Sequence, residues 1–116
     1  MSDDFIEIHW TSGSLDEARK VARFLTQERY VASAQIIPWV ESVYMLDNQL
    51  ETTQESKIIF ISLASNFDKI KSVIVQNCKY EIPEIIKFKI EGGSKEFLDW
   101  VKESTFDKEE VIPVSK

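Results

Sequence analysis

Residues 30–63 decide the fold. They read Tyr30-Val31-Ala32-Ser33-Ala34-Gln35-Ile36-Ile37-Pro38-Trp39-Val40-Glu41-Ser42-Val43-Tyr44-Met45-Leu46, then Asp47-Asn48-Gln49, then a run ending in Lys57-Ile58-Ile59-Phe60-Ile61-Ser62-Leu63. The first half is strand-like through Ile36, Ile37, Val40, Val43 and Tyr44. Pro38 interrupts it. Proline lacks a ladder donor, so the strand must bend, bulge or run along an edge there. Asp and Asn tolerate left-handed backbone, which makes Asp47-Asn48-Gln49 a hairpin turn. The unbroken apolar run of the second half predicts a strand buried on both faces.

This hairpin is too long for its domain. A compact chain of this size has a radius of gyration of roughly 13 Å and a diameter near 35 Å. Residues 31–47, fully extended, span about 55 Å at 3.3 Å per residue. Even bent at Pro38, the segment Trp39 to Leu46 should project beyond the sheet. A lone two-stranded hairpin is marginal in water. Its apolar residues therefore predict pairing with a neighbouring subunit, with Trp39, Val43 and Tyr44 as interface residues; the alternative is that the strands curl over their own core.

Outward from the hairpin, Phe5-Ile6-Glu7-Ile8-His9-Trp10 partly alternates and reads as a strand. Ser14-Leu15-Asp16-Glu17 matches a capping box. Leu15, Ala18, Ala22 and Leu25 then recur at helical steps, so a helix covers about 14–29. A second helix starts near Ser65 or Asn66, carries Phe67, Ile70, Val73 and Ile74, and ends around Asn77-Cys78. Pro83 opens a fourth strand over Ile85–Ile90, which Gly92-Gly93 ends. Ser94 caps a short helix with Phe97, Trp100 and Val101, and an irregular tail follows from about 105. The order β-α-β-β-α-β plus a terminal helix predicts one α+β domain over residues 1–116. Its fold is a ferredoxin-like sandwich with an extended hairpin, one antiparallel sheet carrying helices on one face.

Composition narrows the chemistry. The chain has 116 residues with one Cys and one His. It can build neither an internal disulfide nor a Cys₄ or Cys₂His₂ zinc site. No apolar run approaches the roughly 20 residues of a membrane-spanning helix, and Met1-Ser2-Asp3-Asp4 lacks the start of a secretory signal, so the cytoplasm is the expected compartment. The formal net charge of −6 opposes nucleic acid and anionic lipid. His9 has no Ser or Cys partner for a catalytic triad. Thr11-Ser12-Gly13-Ser14 has one Gly and no upstream Arg, against a phosphate loop of the acylphosphatase type. Lys57-Ile58-Ile59-Phe60-Ile61 lacks the Gly and most of the aromatics of an RNA recognition motif. No enzymatic reaction is expected.

Candidate binding residues cluster in two places. Tyr80, Glu81 and Glu84 flank the rigid Pro83 and would place carboxylates in a cleft for a cation or a positively charged group. Tyr44, Glu51 and Glu55 lie on the hairpin, and Glu51 and Glu55 share a face if the strand is regular. Cys78 is a candidate thiol ligand, or a partly buried small hydrophobe.

Three blocks of sequence resemble the CutA family of divalent-cation tolerance proteins. The first runs from Asp16-Glu17-Ala18-Arg19-Lys20-Val21-Ala22 through Val31-Ala32-Ser33-Ala34-Gln35-Ile36-Ile37-Pro38. The second is Val40-Glu41-Ser42-Val43-Tyr44 with Glu51 and Glu55, and the third is Tyr80-Glu81-Ile82-Pro83-Glu84-Ile85-Ile86. Phe97-Leu98-Asp99-Trp100 fits as well. The resemblance covers about residues 5–104. It implies a ferredoxin-like protomer in a compact homotrimer, hairpins pairing between subunits, and a link to copper or other divalent-cation tolerance. A trimer would carry a net charge of about −18, which attracts cations generally. The chain departs from the family where soft ligands stand. Trp10 and Ser33 occupy positions where Cys occurs, and Cys78-Lys79 replaces a His-Pro. Leu46, Asn48-Gln49 and Ile61 also differ from the usual residues. Copper favours thiolate and imidazole, and Cys78 alone remains at a matching place, so a divalent cation is the only cofactor implied. Fold-level analogy to the PII signalling proteins offers the alternative, small-ligand sensing or protein interaction without metal.

Overall fold

A computed structural model describes residues 4–105. The elements run β1 (Phe5–Ser12), α1 (Leu15–Gln27), β2 (Ser33–Leu46), β3 (Gln49–Leu63), a 3₁₀ turn (Ala64–Asn66), α2 (Phe67–Asn77), β4 (Glu84–Ile90) and α3 (Lys95–Ser104). The sheet is antiparallel with order β2-β3-β1-β4, the expected ferredoxin-like arrangement. The tail expected from about 105 falls almost wholly outside the described residues.

Local chemistry sets most boundaries. The β1 strand runs two residues past Trp10, because Thr11 and Ser12 stay in register with Lys57 and Ser56. Ser14 caps α1, its Oγ accepting the Glu17 N–H at 3.1 Å. The reciprocal half of the capping box is different: the Ser14 N–H donates to Ser12 Oγ at 3.1 Å. The helix stops at Gln27 rather than 29, since Arg29 turns left-handed at φ 63°, and β2 starts at Ser33 rather than Tyr30. Asn66 precedes α2 but does not cap it. Its buried side chain donates instead to the Tyr30 carbonyl at 3.2 Å, a bond that ties the two ends of the helical layer together. The β4 strand starts at Glu84, one residue earlier than expected.

The hairpin turn is two residues, Asp47 and Asn48, at φ 52° and 66°; Gln49 already pairs with Leu46. Two positive φ angles match the right-handed twist of the flanking strands. The ladder shifts between Ile37 and Val40, leaving Pro38 and Trp39 outside it as a bulge. Buried Ser56 donates to the Pro38 carbonyl at 2.9 Å and anchors the bulge.

The core lies between the sheet and the helices. Ile6, Ile8 and Trp10 of β1 and Ile58 and Phe60 of β3 meet Ala18, Val21, Ala22 and Leu25 of α1 and Ile70 and Ile74 of α2. The Trp10 and Phe60 rings stack at 6.5 Å. Burial on both faces of residues 57–63 does not hold within the protomer. Ile58 and Phe60 are buried against the helices, whereas Ile59 and Ile61 are only half-buried. Their pairing partners, His9 and Glu7 of β1, share the face away from the helices. That face also carries exposed Ile37, Ile86 and Phe88. His9 keeps near it, its Nε2 2.7 Å from Glu7 Oε2 and its ring edge-on to Phe88 at 4.7 Å.

The hairpin projects as its length predicted. Pairing of β3 with β1 ends at Ser56, so Gln49–Glu55 pairs only with Val40–Leu46. The radius of gyration is 15.3 Å and the longest dimension 46 Å, against roughly 13 Å and 35 Å for a compact chain.

Candidate functional site

The hairpin base and the segment between α2 and β4 enclose a cleft of about 1040 Å³. Strand alternation and register build its floor. Glu51, Thr53, Glu55 and Lys57 share one face of β3 by the period of two. Across the ladders, Glu55 stands opposite Val40, Lys57 opposite Thr11, and Thr11 opposite Glu84. Thr11 Oγ1 donates to Glu84 Oε1 at 3.1 Å, which holds that carboxylate at the start of β4.

Tyr80 forms the wall. Its hydroxyl donates to Glu55 Oε2 at 2.6 Å. The hydrogen bond, together with partial burial and the negative charge of Glu55, pushes its pKa up to about 12. The ring lies against Gly13, where an added Cβ would sit 2.5 Å from the Tyr80 hydroxyl oxygen. The one glycine of the β1–α1 turn is thus a place where another chain segment approaches too closely for a side chain. Tyr44 rises on the hairpin side, its hydroxyl 2.7 Å from Thr53 Oγ1. Glu81 and Ile82 complete the rim, Ile82 being 87% exposed.

Of the residues singled out in the sequence, the structure brings Tyr44, Glu55, Tyr80, Glu81 and Glu84 around this one cleft. Glu51 does not line it; it pairs with Tyr44 nearer the hairpin tip. Cys78 packs half-buried against the core at the end of α2. Trp39 stands 62% exposed in the bulge and Val43 60% exposed on the hairpin. Thr11 and Lys57, with Glu41, Ser42 and Thr53, are among the lining residues that escaped the sequence reading. Lys57 follows Glu55 at the strand period, a signal visible in the sequence. Thr11 enters only through register, which no local pattern reveals. Lys57 makes no ion pair with a described residue, so the cleft holds an unneutralised ammonium among its carboxylates.

Among the described residues, no three His, Cys, Asp or Glu side chains converge as ligands for a metal ion. Glu55 is engaged by Tyr80 and Glu84 by Thr11. One protomer by itself therefore does not fit a divalent metal. Its cleft offers oxygen acceptors, two phenol rings and one ammonium.

Comparisons with known proteins agree with this architecture. Residues 6–104 match the family described as CutA1 divalent ion tolerance protein. The chain is 30% identical over 100 residues to a chloroplastic CutA protein of Arabidopsis thaliana, covering 86% of this chain and 55% of that one. It is 32% identical over 95 residues to a divalent-cation tolerance protein CutA of Thermus thermophilus, covering 82% and 92%. The chain spans about half the length of the plant relatives it matches. The crystal structure of CutA1 from Oryza sativa superposes with a TM-score of 0.86 at 27% identity, over 91% of this chain and 97% of that one. A Thermus thermophilus structure gives 0.82 at 29%, over 88% and 99%. With the family pattern covering β1 to α3 and the fold reproduced over the same span, the chain belongs to the CutA1 divalent ion tolerance family.

Proposed function

We propose that this chain works as a non-enzymatic homotrimer in divalent-cation tolerance, copper included, in the cytoplasm. A cation or small ligand would bind at clefts completed by a neighbouring copy. One observation carries the assembly: the protomer exposes apolar surface where a soluble monomer would cover it. Val43, Met45 and Leu50 are 60–70% exposed on one face of the hairpin. Ile37, Ile86 and Phe88 are exposed on the bare sheet face. By strand register the two groups lie on opposite faces of the sheet, and exposed apolar clusters of this kind mark interaction sites. The hairpin also offers an unpaired edge over Gln49–Glu55, and β4 offers another. Edges of this sort recruit strands from other chains. A contact between two different edges is heterologous and closes into a ring when the rotation allows.

The cation reading rests on Glu55, Glu81 and Glu84 in a cleft at the hairpin base, beside the surface proposed for assembly. Hard cations favour such oxygens. Cys78, turned to the core, lends copper little, and a neighbouring copy would have to add ligands. Lys57 favours a second reading, small-ligand sensing of the PII kind, because a free ammonium among carboxylates suits a ligand carrying both charges.

Light scattering tests the assembly: the proposal requires three times the chain mass, and a monomer would sink it. Calorimetric titration with Cu²⁺, Zn²⁺ and Mg²⁺ tests the cation. Binding should weaken in Glu84→Gln and survive in Cys78→Ser. A wild-type trimer that binds none of the three ions would leave the small-ligand reading.

A further inference from the structure

All three arginines of the chain lie on α1 or just after it, at 19, 23 and 29. Arg19, Lys20 and Arg23 are exposed and line a shallow groove of about 440 Å³ together with Asp16, Phe24 and Gln27. None of the three cations forms an ion pair with a described residue.

Helix electrostatics accounts for them only in part: Asp16 stands three residues before Arg19 and four before Lys20, the favourable order for opposite charges. Cations favour the C-terminal turn of a helix, where they complement its dipole. The last turn of α1 has no basic residue, and Arg19 and Lys20 sit in the second turn instead. Like charges one turn apart also repel, by about 0.2–0.5 kcal/mol per pair. Arg23 has no acidic residue three or four positions away and stands one turn from Arg19 and Lys20, within a chain of net charge −6.

We propose that this face of α1 docks an acidic segment of a partner polypeptide. Arg19 and Arg23 are four apart, so their guanidinium groups project side by side one turn apart. Each can grip a carboxylate through two parallel N–H donors, which matches acidic side chains on alternate residues of a strand or one turn apart on a helix. Phe24, 45% exposed and stacked on Tyr30 at 6.4 Å, supplies an apolar contact beside them.

The groove is one-sided, lined by α1 alone, so a small anion would remain hydrated there. A segment adds contacts along the helix. Long polyanions meet the acidic remainder of the molecule, whereas a short acidic segment feels only charges within a Debye length, about 8 Å at physiological salt. The α1 groove lies on the side of the sheet opposite Glu55 and Lys57, so the inference is independent of the cleft.

Fluorescence anisotropy with labelled octaglutamate at low salt tests it. Wild type should bind. Arg19→Glu/Arg23→Glu should bind roughly tenfold more weakly or not at all, and Arg19→Gln/Arg23→Gln should fall between. Lys69→Glu/Lys71→Glu makes the same charge change on α2 and should keep the wild-type affinity, with circular dichroism verifying the fold of each variant. No binding by wild type overturns the proposal. So does an equal loss in the α1 and α2 variants, which would mean net charge alone. Tighter binding of an octanucleotide or of phosphatidylserine vesicles would replace the polypeptide with a different partner.

Discussion

The protein has two regions built from the same strands under opposite rules. Around Ser56, β3 passes from one to the other. On one side, residues 56–63 pair with β1, residues 57–61 pair with β2 as well, and alternate side chains are buried under α1 and α2. On the other, residues 49–55 pair with β2 alone and bury none. The first region satisfies its backbone and covers the apolar side chains of its helix-side face inside one chain. The second has a defined turn, a defined register and exposed Val43, Met45 and Leu50, so no described part of the chain covers that apolar surface. Strand length beyond the sheet is the feature on which the proposed assembly rests. The candidate cleft lies at the junction, where Tyr80 crosses to hold Glu55.

Substitutions can break this contrast. The largest effect on folding belongs in the core. Phe60→Ala removes a fully buried ring stacked on Trp10 and should cost about 3–5 kcal/mol, read by urea denaturation. A loss under about 1 kcal/mol would mean that the core is not where the structure places it.

Next comes the junction. Gly13→Ala pushes a methyl into the Tyr80 phenol; the ring is the far end of a partly exposed side chain and can swing aside, so the change should cost about 1 kcal/mol and release Glu55. Combined with Tyr80→Ala, it should lose most of that penalty. If the double variant is no better than additive, the close approach is not the cause.

A smaller and pH-dependent effect comes from the Tyr80–Glu55 bond. The phenol titrates near 10 in the unfolded chain and near 12 in the folded one. Its contribution is complete below pH 10 and disappears as the pH rises from about 10 through about 12. Because the residue is 37% exposed, solvent screening keeps that contribution small. An alkaline absorbance titration should show a phenolate step near pH 12 that Tyr80→Phe removes. The same step in both proteins would rule the bond out.

The smallest effect on the protomer should come from the hairpin. Leu50→Glu changes a residue 70% exposed and should shift the stability of the dilute, dissociated chain by less than about 0.5 kcal/mol. At high concentration the same change should reduce the mass seen by light scattering. A large loss in the dilute chain would mean that the hairpin folds onto its own core, and the two regions would be one.

Much of this was legible in the sequence because it is local. The helix over Leu15–Gln27 follows from its apolar spacing and Ser14. The turn follows from Asp47-Asn48, and the bulge from Pro38. The excess of strand over domain diameter follows from counting residues. The cleft was legible only in part. Tyr80, Glu81 and Glu84 announce themselves around Pro83, and Tyr44 and Glu55 along the hairpin. Glu51 looked equivalent to Glu55 because both share a face. Glu51 stands roughly 13 Å along the strand from Glu55, opposite Tyr44, and it is Tyr44 that lines the cleft there. Asn66 looked like a cap, but a buried carbonyl at Tyr30 took its side chain.

The sequence by itself determined the order of elements, the family pattern from β1 to α3, and the presence of a hairpin longer than its sheet. These depend on period, turn chemistry and length, which neighbouring residues carry. The tertiary structure alone decided that Thr11 meets Glu84, that Gly13 yields to Tyr80, and that Cys78 faces the core. Those facts depend on register and on which faces meet. A shift of one residue in a strand moves every side chain to the other face, and no local pattern specifies that choice across a separation such as the 73 residues between Thr11 and Glu84.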